Sequence, residues 1–336
     1  MKLRAQSFSV ETYDGISLGA VDCPDSFTWS REMNEVSVLT LTAPRQNMTT
    51  KIFPWYYWIS CWDGQTLQWR GPIIDFQFDN AAMSFQAKDI GTFMWETRTV
   101  TTRQWSSLDI ASIAADMWRD MLELHNITAE PMVLPSLSGQ GRYSVSVKAD
   151  VRMLNQEMTD LVKLGLRWTV VKGRPVLGTQ PANIVAELGE CHLSGGARIQ
   201  RNGARTSNDV RVQGKNYSHT ERVNMGGLHL QSIVQVDDVF GAANIVNAAR
   251  EQAIKRAQIK NALIIPAGAT LTGDAPVELN TLVPGVRLAV TALGTRGVFE
   301  IQKVSVSGSS SGTTVGLSLN AVNDDTELET ATGTGA

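Results

Sequence analysis

The chain has 336 residues, 43% hydrophobic and 19% charged, with a formal net charge of −3. That length suits two or three domains, and the balance of apolar and charged residues excludes wholesale disorder. No apolar run approaches the roughly 18 residues that span a bilayer, and no basic cluster offers a nucleic-acid footprint. Met1 to Ser7 lack a signal peptide's apolar stretch, and Cys23, Cys61 and Cys191 cannot all pair within the chain. The expectation is a protein with reduced thiols that folds in a cytoplasm. Aromatic residues are unevenly placed: 20 of 23, including all nine tryptophans, lie in the first 168 positions.

In chain order, the first hundred residues alternate with period two. Phe8, Val10 and Thr12 form one such run; Val36, Val38 and Leu41 form another before Ala43-Pro44. The run from Ile52 to Trp62 ends at the turn signal Asp63-Gly64, and Leu67–Phe78 and Met83–Ala87 complete the series. Short strands at regular turn spacing predict a sandwich or barrel. Ser106 and Asp109 read as a capping box for a helix carrying Ile110, Ile113, Met117, Met121 and Leu124. A second helix is predicted from about Asp150, through Leu154, Met158 and Leu161, to the stop at Gly165. Strands around Arg167–Val171 and Pro175–Leu177 flank a Lys172-Gly173-Arg174 turn. After Gly195-Gly196 the alternation resumes at Asp209–Gly214, and an Ala-rich helix is predicted over 242–260. Strands return from Leu282 to Val322, and 323–336 read as a disordered tail.

An internal echo runs through these elements at a fixed offset of 230 residues. Phe53-Pro54 matches Val283-Pro284, Gly64 matches Gly294, and Trp69 matches Phe299. Ile74 and Phe76 match Val304 and Val306; Phe85 and Ala87 match Val315 and Leu317. Upstream, Asn34–Val38 resembles Asn208–Val212 with a different spacing to the proline, the extra length holding the Ala-rich helix. The expected fold class is mainly β with an α/β insert: two related small β-barrels plus helical insertions. The expected divisions are 1–104 for the first barrel, 105–190 for the α/β insert and 191–322 for the second barrel. Three chains of two barrels each would give a threefold object with sixfold symmetry on one face.

Several stretches resemble the tail-hub (baseplate hub, minor tail) proteins of long-tailed bacteriophages. They are Phe27-Thr28-Trp29-Ser30-Arg31 leading into Val36–Leu41, Trp69-Arg70-Gly71-Pro72-Ile73-Ile74-Asp75, Phe85–Asp89 and Trp95–Arg98. Leu154–Met158, Gly165–Val170 and Ser207–Gly214 also fit. The resemblance covers about residues 1–320. It implies a structural virion protein at the tail tip, assembled in the host cytoplasm. Its expected partners are two further copies in a homotrimer, a tail-tube or distal tail protein above, and a tip, fibre or tape-measure protein below.

No catalytic constellation stands out, and no enzyme activity, cofactor or metal is expected. Cys191-His192 reads as neighbouring strand residues on opposite faces, so a thiolate–imidazole pair is not formed. His125 ends a helix, where positive charge suits the dipole, and His219 and His229 fall in polar segments. Asp237-Asp238 and Asp324-Asp325 read as turn and tail aspartates rather than cation sites. The run Trp55-Tyr56-Tyr57-Trp58, with Trp62, is read as a strand with aromatics on both faces, one in the core and one at an interface. The alternative is a sugar-stacking platform of a carbohydrate-binding or adhesin module.

Overall fold

The computed structural model describes residues 6–134, 142–194, 198–204, 206–236, 242–258, 260–264, 270–292, 295–309 and 312–322. Gly195-Gly196, Gly294, both aspartate pairs and the 323–336 tail lie outside them. The alternating first hundred residues form β1 (Gln6–Thr12), β2 (Ser17–Val21), β3 (Ser26–Glu32), β4 (Val38–Pro44), β5 (Tyr57–Asp63), β6 (Thr66–Phe78) and β7 (Ala82–Lys88). They pair in the order β3-β4-β7-β6-β5-β1-β2. Inward residues such as Phe8, Val10, Leu39, Leu41 and Phe85 are buried, as the period-two pattern requires.

A short helix, α1 (Phe93–Glu96), leads into an α/β segment: β8 (Arg103–Asp109), α2 (Ile110–Leu124), β9 (Met132–Val133), β10 (Arg142–Val147), α3 (Leu154–Lys163), β11 (Trp168–Val171) and β12 (Arg174–Leu177). The capping box expected at Ser106 is not the helix start. Ser107 turns to φ 55°, the strand continues to Asp109, and the Asp109 carboxylate accepts from the Ala111 N–H at 2.8 Å. The second helix likewise begins later, after Met153, because Asp150 adopts a left-handed turn at φ 60°. Gly165, at φ 110°, ends it as expected.

The remainder comprises β13 (Ile184–Gly189), β14 (Arg198–Asn202), β15 (Asp209–Gln213), β16 (Ser218–Arg222), β17 (Gln231–Gln235), α4 (Ala242–Arg256), β18 (Lys260–Ile264), β19 (Arg287–Ala292), β20 (Thr295–Ser309) and β21 (Gly312–Ala321). The Ala-rich helix therefore stops at Arg256, short of the expected 260. β14-β18-β21-β20 join the first repeat through β20·β3, and β19 and β13 branch from β20. Among the described residues eleven of the thirteen strands form one open path, so the two expected barrels are not closed.

The duplication is visible in detail. The 3-10 turns Thr49–Lys51 and Leu279–Thr281, and the pairs β5/β19, β6/β20 and β7/β21, all stand 230 residues apart within one or two residues at their starts. The register is also shared: Phe76 faces Phe85, and Val306 faces Val315. The upstream match needs correction. Asp209–Gln213 lies in a separate sheet, β16-β15-β17, whereas the strand beside β21, where β4 lies beside β7, is β18. The 57 residues between β14 and β18 hold that small sheet and α4.

Two cores result. One spans both repeats, from Phe8, Trp29 and Leu39 to Ile301, Val304 and Val315. The other is shared by the α/β segment (Ile113, Trp118, Leu161, Trp168) and the later insertion (Val210, Val212, Ile245, Ala249). At the seam between the repeats sits Arg31, fully buried. Its guanidinium donates to the carbonyls of Gln68 (2.7 Å) and Leu282 (3.1 Å) and to Gln68 Oε1 (2.9 Å). Arg31→Met is expected to destabilise the chain by roughly 3 kcal/mol, since each carbonyl stripped of its donor costs about 1–3 kcal/mol. Urea unfolding followed by tryptophan fluorescence checks this; an unchanged midpoint would show that the seam does not depend on Arg31.

Candidate functional site

A sheet edge exposes unpaired N–H and C=O groups that invite another strand. Inside this chain one such edge is already used. Lys303–Ser309 of β20 pair antiparallel with Ser26–Glu32 of β3 on one edge and with β21 on the other, while Thr295–Glu300 face β19. In the first repeat the same stretch of β6, Asp75–Phe78, pairs among the described residues with β7 alone, and β14 with β18 alone. These two free edges thus each carry one half of a junction that β20 and β3 complete. Asp75, Gln77 and Phe78 are exposed.

The aromatic run does not form one strand. β5 starts at Tyr57; Trp55 and Tyr56 form the turn before it. Trp58 is buried in the second core, stacked near Phe93 at 6.1 Å and covered by the Arg70 guanidinium at 4.9 Å. Trp62 is half-buried and its Nε1 donates to Ser9 Oγ at 3.0 Å. Tyr57 is half-buried, and Trp55 and Tyr56 are exposed. Of the five expected interface residues, Tyr56 and Tyr57 come together: with Phe53 and with Tyr13 and Ile16 of the β1–β2 turn they line an open groove of about 410 Å³, while Trp55 packs edge-on against Phe93 outside that lining. Phe53, Tyr13 and Ile16 were not singled out by the sequence, because nothing local shows that the two turns meet.

Chemistry at other candidates is muted. Among the described residues no group of three or more His, Cys, Asp or Glu could hold a metal ion. Cys191 and His192 lie in a 3-10 turn rather than a strand, and His192 Nδ1 accepts from the Gly189 N–H at 2.9 Å. His125 does cap α2, but burial lowers its pKa, so the expected positive charge is disfavoured; its Nε2 lies 2.7 Å from Thr97 Oγ1. His219 is 3.3 Å from Glu221, and His229 is 3.7 Å from Asp209, both on the surface. Among the described residues no helix is long and apolar enough to cross a membrane.

One buried acid was missed. Asp89 lies fully buried at the end of β7, accepting from the N–H groups of Ser37 (2.7 Å) and Gly91 (2.8 Å). Loss of hydration outweighs these bonds and pushes its pKa up to about 7.

Neither a family model nor a curated protein sequence matches the chain. Its fold is that of phage tail proteins. The tail protein from Neisseria meningitidis MC58 is similar over 95% of this chain and 97% of its own, with TM-score 0.66 at 13% identity. The 43 kDa tail protein of prophage MuSo2 from Shewanella oneidensis is similar over 94% and 97%, with TM-score 0.60 at 12% identity. The prophage tail protein gp18 from Listeria monocytogenes EGD-e is similar over 97% of each chain, with TM-score 0.58 at 10% identity.

The Asp89 carboxyl sets a pH dependence. Its pKa is raised in the folded chain, so the folded state holds an extra proton between about pH 4 and 7. This group therefore makes folding less favourable as pH rises through that window. The melting temperature of the wild-type chain should carry a falling component from pH 4 to 7 that Asp89→Asn lacks; parallel profiles would exclude it.

Proposed function

We propose that the chain is a structural, non-enzymatic subunit of a phage tail hub, working as a homotrimer with pseudo-sixfold symmetry. The observation that carries this is the junction of β20 with β3, together with the edges of Asp75–Phe78 and of β14 that no strand covers among the described residues. A surface that joins two repeats in one chain can join the next chain in the same way, head to tail. Such heterologous contacts either close into a ring or run on as a filament. The resemblance to tail-hub proteins supports closure at three.

Six repeats around one axis would meet a hexameric tail-tube or distal tail protein above. The insertions, present once per chain in each form, would give threefold symmetry to a tip, fibre or tape-measure protein below. The place of action is the tail tip of a virion, with assembly in the host cytoplasm. A carbohydrate-binding platform over Trp55–Trp58 is less well supported, because burial of Trp58 leaves no continuous aromatic plane.

Interchain pairing is tested with Cys23→Ser and Cys191→Ser as background, Asp75→Cys added, and single cysteines scanned over 198–202. Oxidation is expected to yield disulfide-linked species up to three chains, with ring-shaped particles in averaged electron micrographs. A chain that stays monomeric at micromolar concentration and forms no cross-link overturns the hub reading.

A further inference from the structure

Trp55 stands in a conformation that suits glycine. Its φ is 69°, in the left-handed region where a bulky side chain is strained. The repeat-equivalent residue, 230 positions on, is Gly285 at φ 92°. Both corners are built alike: the Trp55 N–H donates to the Ile73 carbonyl at 2.8 Å, and the Gly285 N–H to the Ile301 carbonyl at 2.7 Å. The backbone thus asks for the same turn twice, and only one copy answers it with glycine.

The two corners differ in what covers them. Pro284 and Gly285 are buried. A Cβ added at Gly285 would lie 2.9 Å from Met33 Cε and 2.9 Å from Gln180 Cγ, so the corner is fully occupied. Met33 directly follows β3, the strand that crosses from the first repeat at the junction, and its N–H donates to the Gln302 carbonyl at 2.9 Å. At the other corner Trp55 touches Phe93 edge-on at 5.5 Å but stays 38% exposed, beside Phe53 at 60% and Tyr56 at 74%. Phe53 and Tyr56 line one groove with Tyr13 and Ile16, and Trp55 is exposed between them in sequence, on a chain whose other tryptophans are mostly buried.

We infer that the Phe53–Tyr56 corner is the seat of a second copy of this chain, covered there by the end of β14 and the residues that follow it. The inference rests on the hub reading and adds to it a specific surface. β14 occupies in the second repeat the place of β3 in the first: each pairs with the strand next to the β7 or β21 edge. Carried over at the registers of the two hairpins, the end of β14 at Arg201 and Asn202 should lie where Met33 and Asn34 lie at the internal junction. Between chains, the Trp55 corner would then be covered by the last residues of β14 and by Gly203 and Ala204, which follow Asn202.

The test separates this surface from the hub itself. Trp55→Gly relieves the backbone and should fold with an unchanged circular dichroism spectrum. Tyr56→Ser, in a residue outside both cores, serves if the first variant folds poorly. Either variant should raise the midpoint concentration of trimer dissociation, read by mass photometry, at least tenfold. A benzoylphenylalanine at position 56 should capture a tryptic peptide from 202–211 of another chain. Trimers of wild-type strength in both variants, with the Asp75 edge cross-link intact, would overturn the corner and leave the hub standing. Saturable binding of a peptidoglycan tetrasaccharide to the wild type, lost in Trp55→Gly while the trimer persists, would overturn it in favour of a glycan site. A wild-type chain that never associates would remove both readings.

Discussion

The structure depends on a charge that, among the described residues, meets carbonyl and amide oxygens rather than a carboxylate. Arg31 is fully buried on β3, and its neighbours are carbonyl and amide oxygens from β6 and from the 3-10 turn Leu279–Thr281 and its end. Burial lowers its pKa to about 10, which leaves it charged at neutral pH. The planar guanidinium can serve several acceptors in fixed directions, as a lysine ammonium cannot. Because Gln68 belongs to the first repeat and Leu279–Leu282 to the second, the fork holds both against the strand that joins them. Gln68 extends the network, donating to Asn280 Oδ1 at 2.7 Å. An acceptor set drawn from two repeats cannot be satisfied by either alone, so the repeats fold as one body with one core.

From that seam the rest of the architecture follows. The α/β segment leaves the first repeat after β7, and the sheet with α4 leaves the second between β14 and β18. These insertions come from different points in the duplicated topology, yet they meet in a common second core. Polar contacts fix the meeting: Asn244 donates to the Ser144 carbonyl at 2.8 Å, and Gln252 donates to the Lys163 carbonyl. The second core is docked on the first by the Trp168 N–H, which donates to Asn34 Oδ1 at 2.9 Å, and by the Arg167–Glu300 ion pair. The molecule is therefore quasi-symmetric in its sheet and singular in its inserted layer.

What the sequence made legible was whatever depends on periodicity and turn chemistry. The alternation of Phe8 and Val10 or of Val304 and Val306, and the Lys172-Gly173 turn, translate directly into geometry. The offset of 230 was readable for the same reason, since three strands and their turns keep one spacing. The upstream match failed because Asn-Glu-Val-Ser-Val and Asn-Asp-Val-Arg-Val share only generic alternation, which any half-buried strand shows. The true counterparts, Arg198–Asn202 and Lys260–Ile264, carry little such pattern. Trp55 was read as strand because no propensity places tryptophan in a left-handed turn; only its alignment with Gly285 could have exposed it. Arg31 and Asp89 were quoted within motifs but not as buried charges, because burial there is created by segments 37 to 251 residues away.

The aromatic imbalance acquires a narrower meaning. Six of the nine tryptophans are buried: Trp29 and Trp69 in the core of the repeats, Trp58, Trp105, Trp118 and Trp168 in the core of the insertions. Part of the excess in the first half is thus volume that fills the layer built by its α/β segment and the later insertion. Once the buried rings are set aside, exposed aromatics remain at Phe53, Trp55, Tyr56 and Phe78, where the matching positions are Val283, Gly285, Val286 and Gly308. The two copies therefore share backbone geometry and differ in the aromatic surface that one turn and one strand end present.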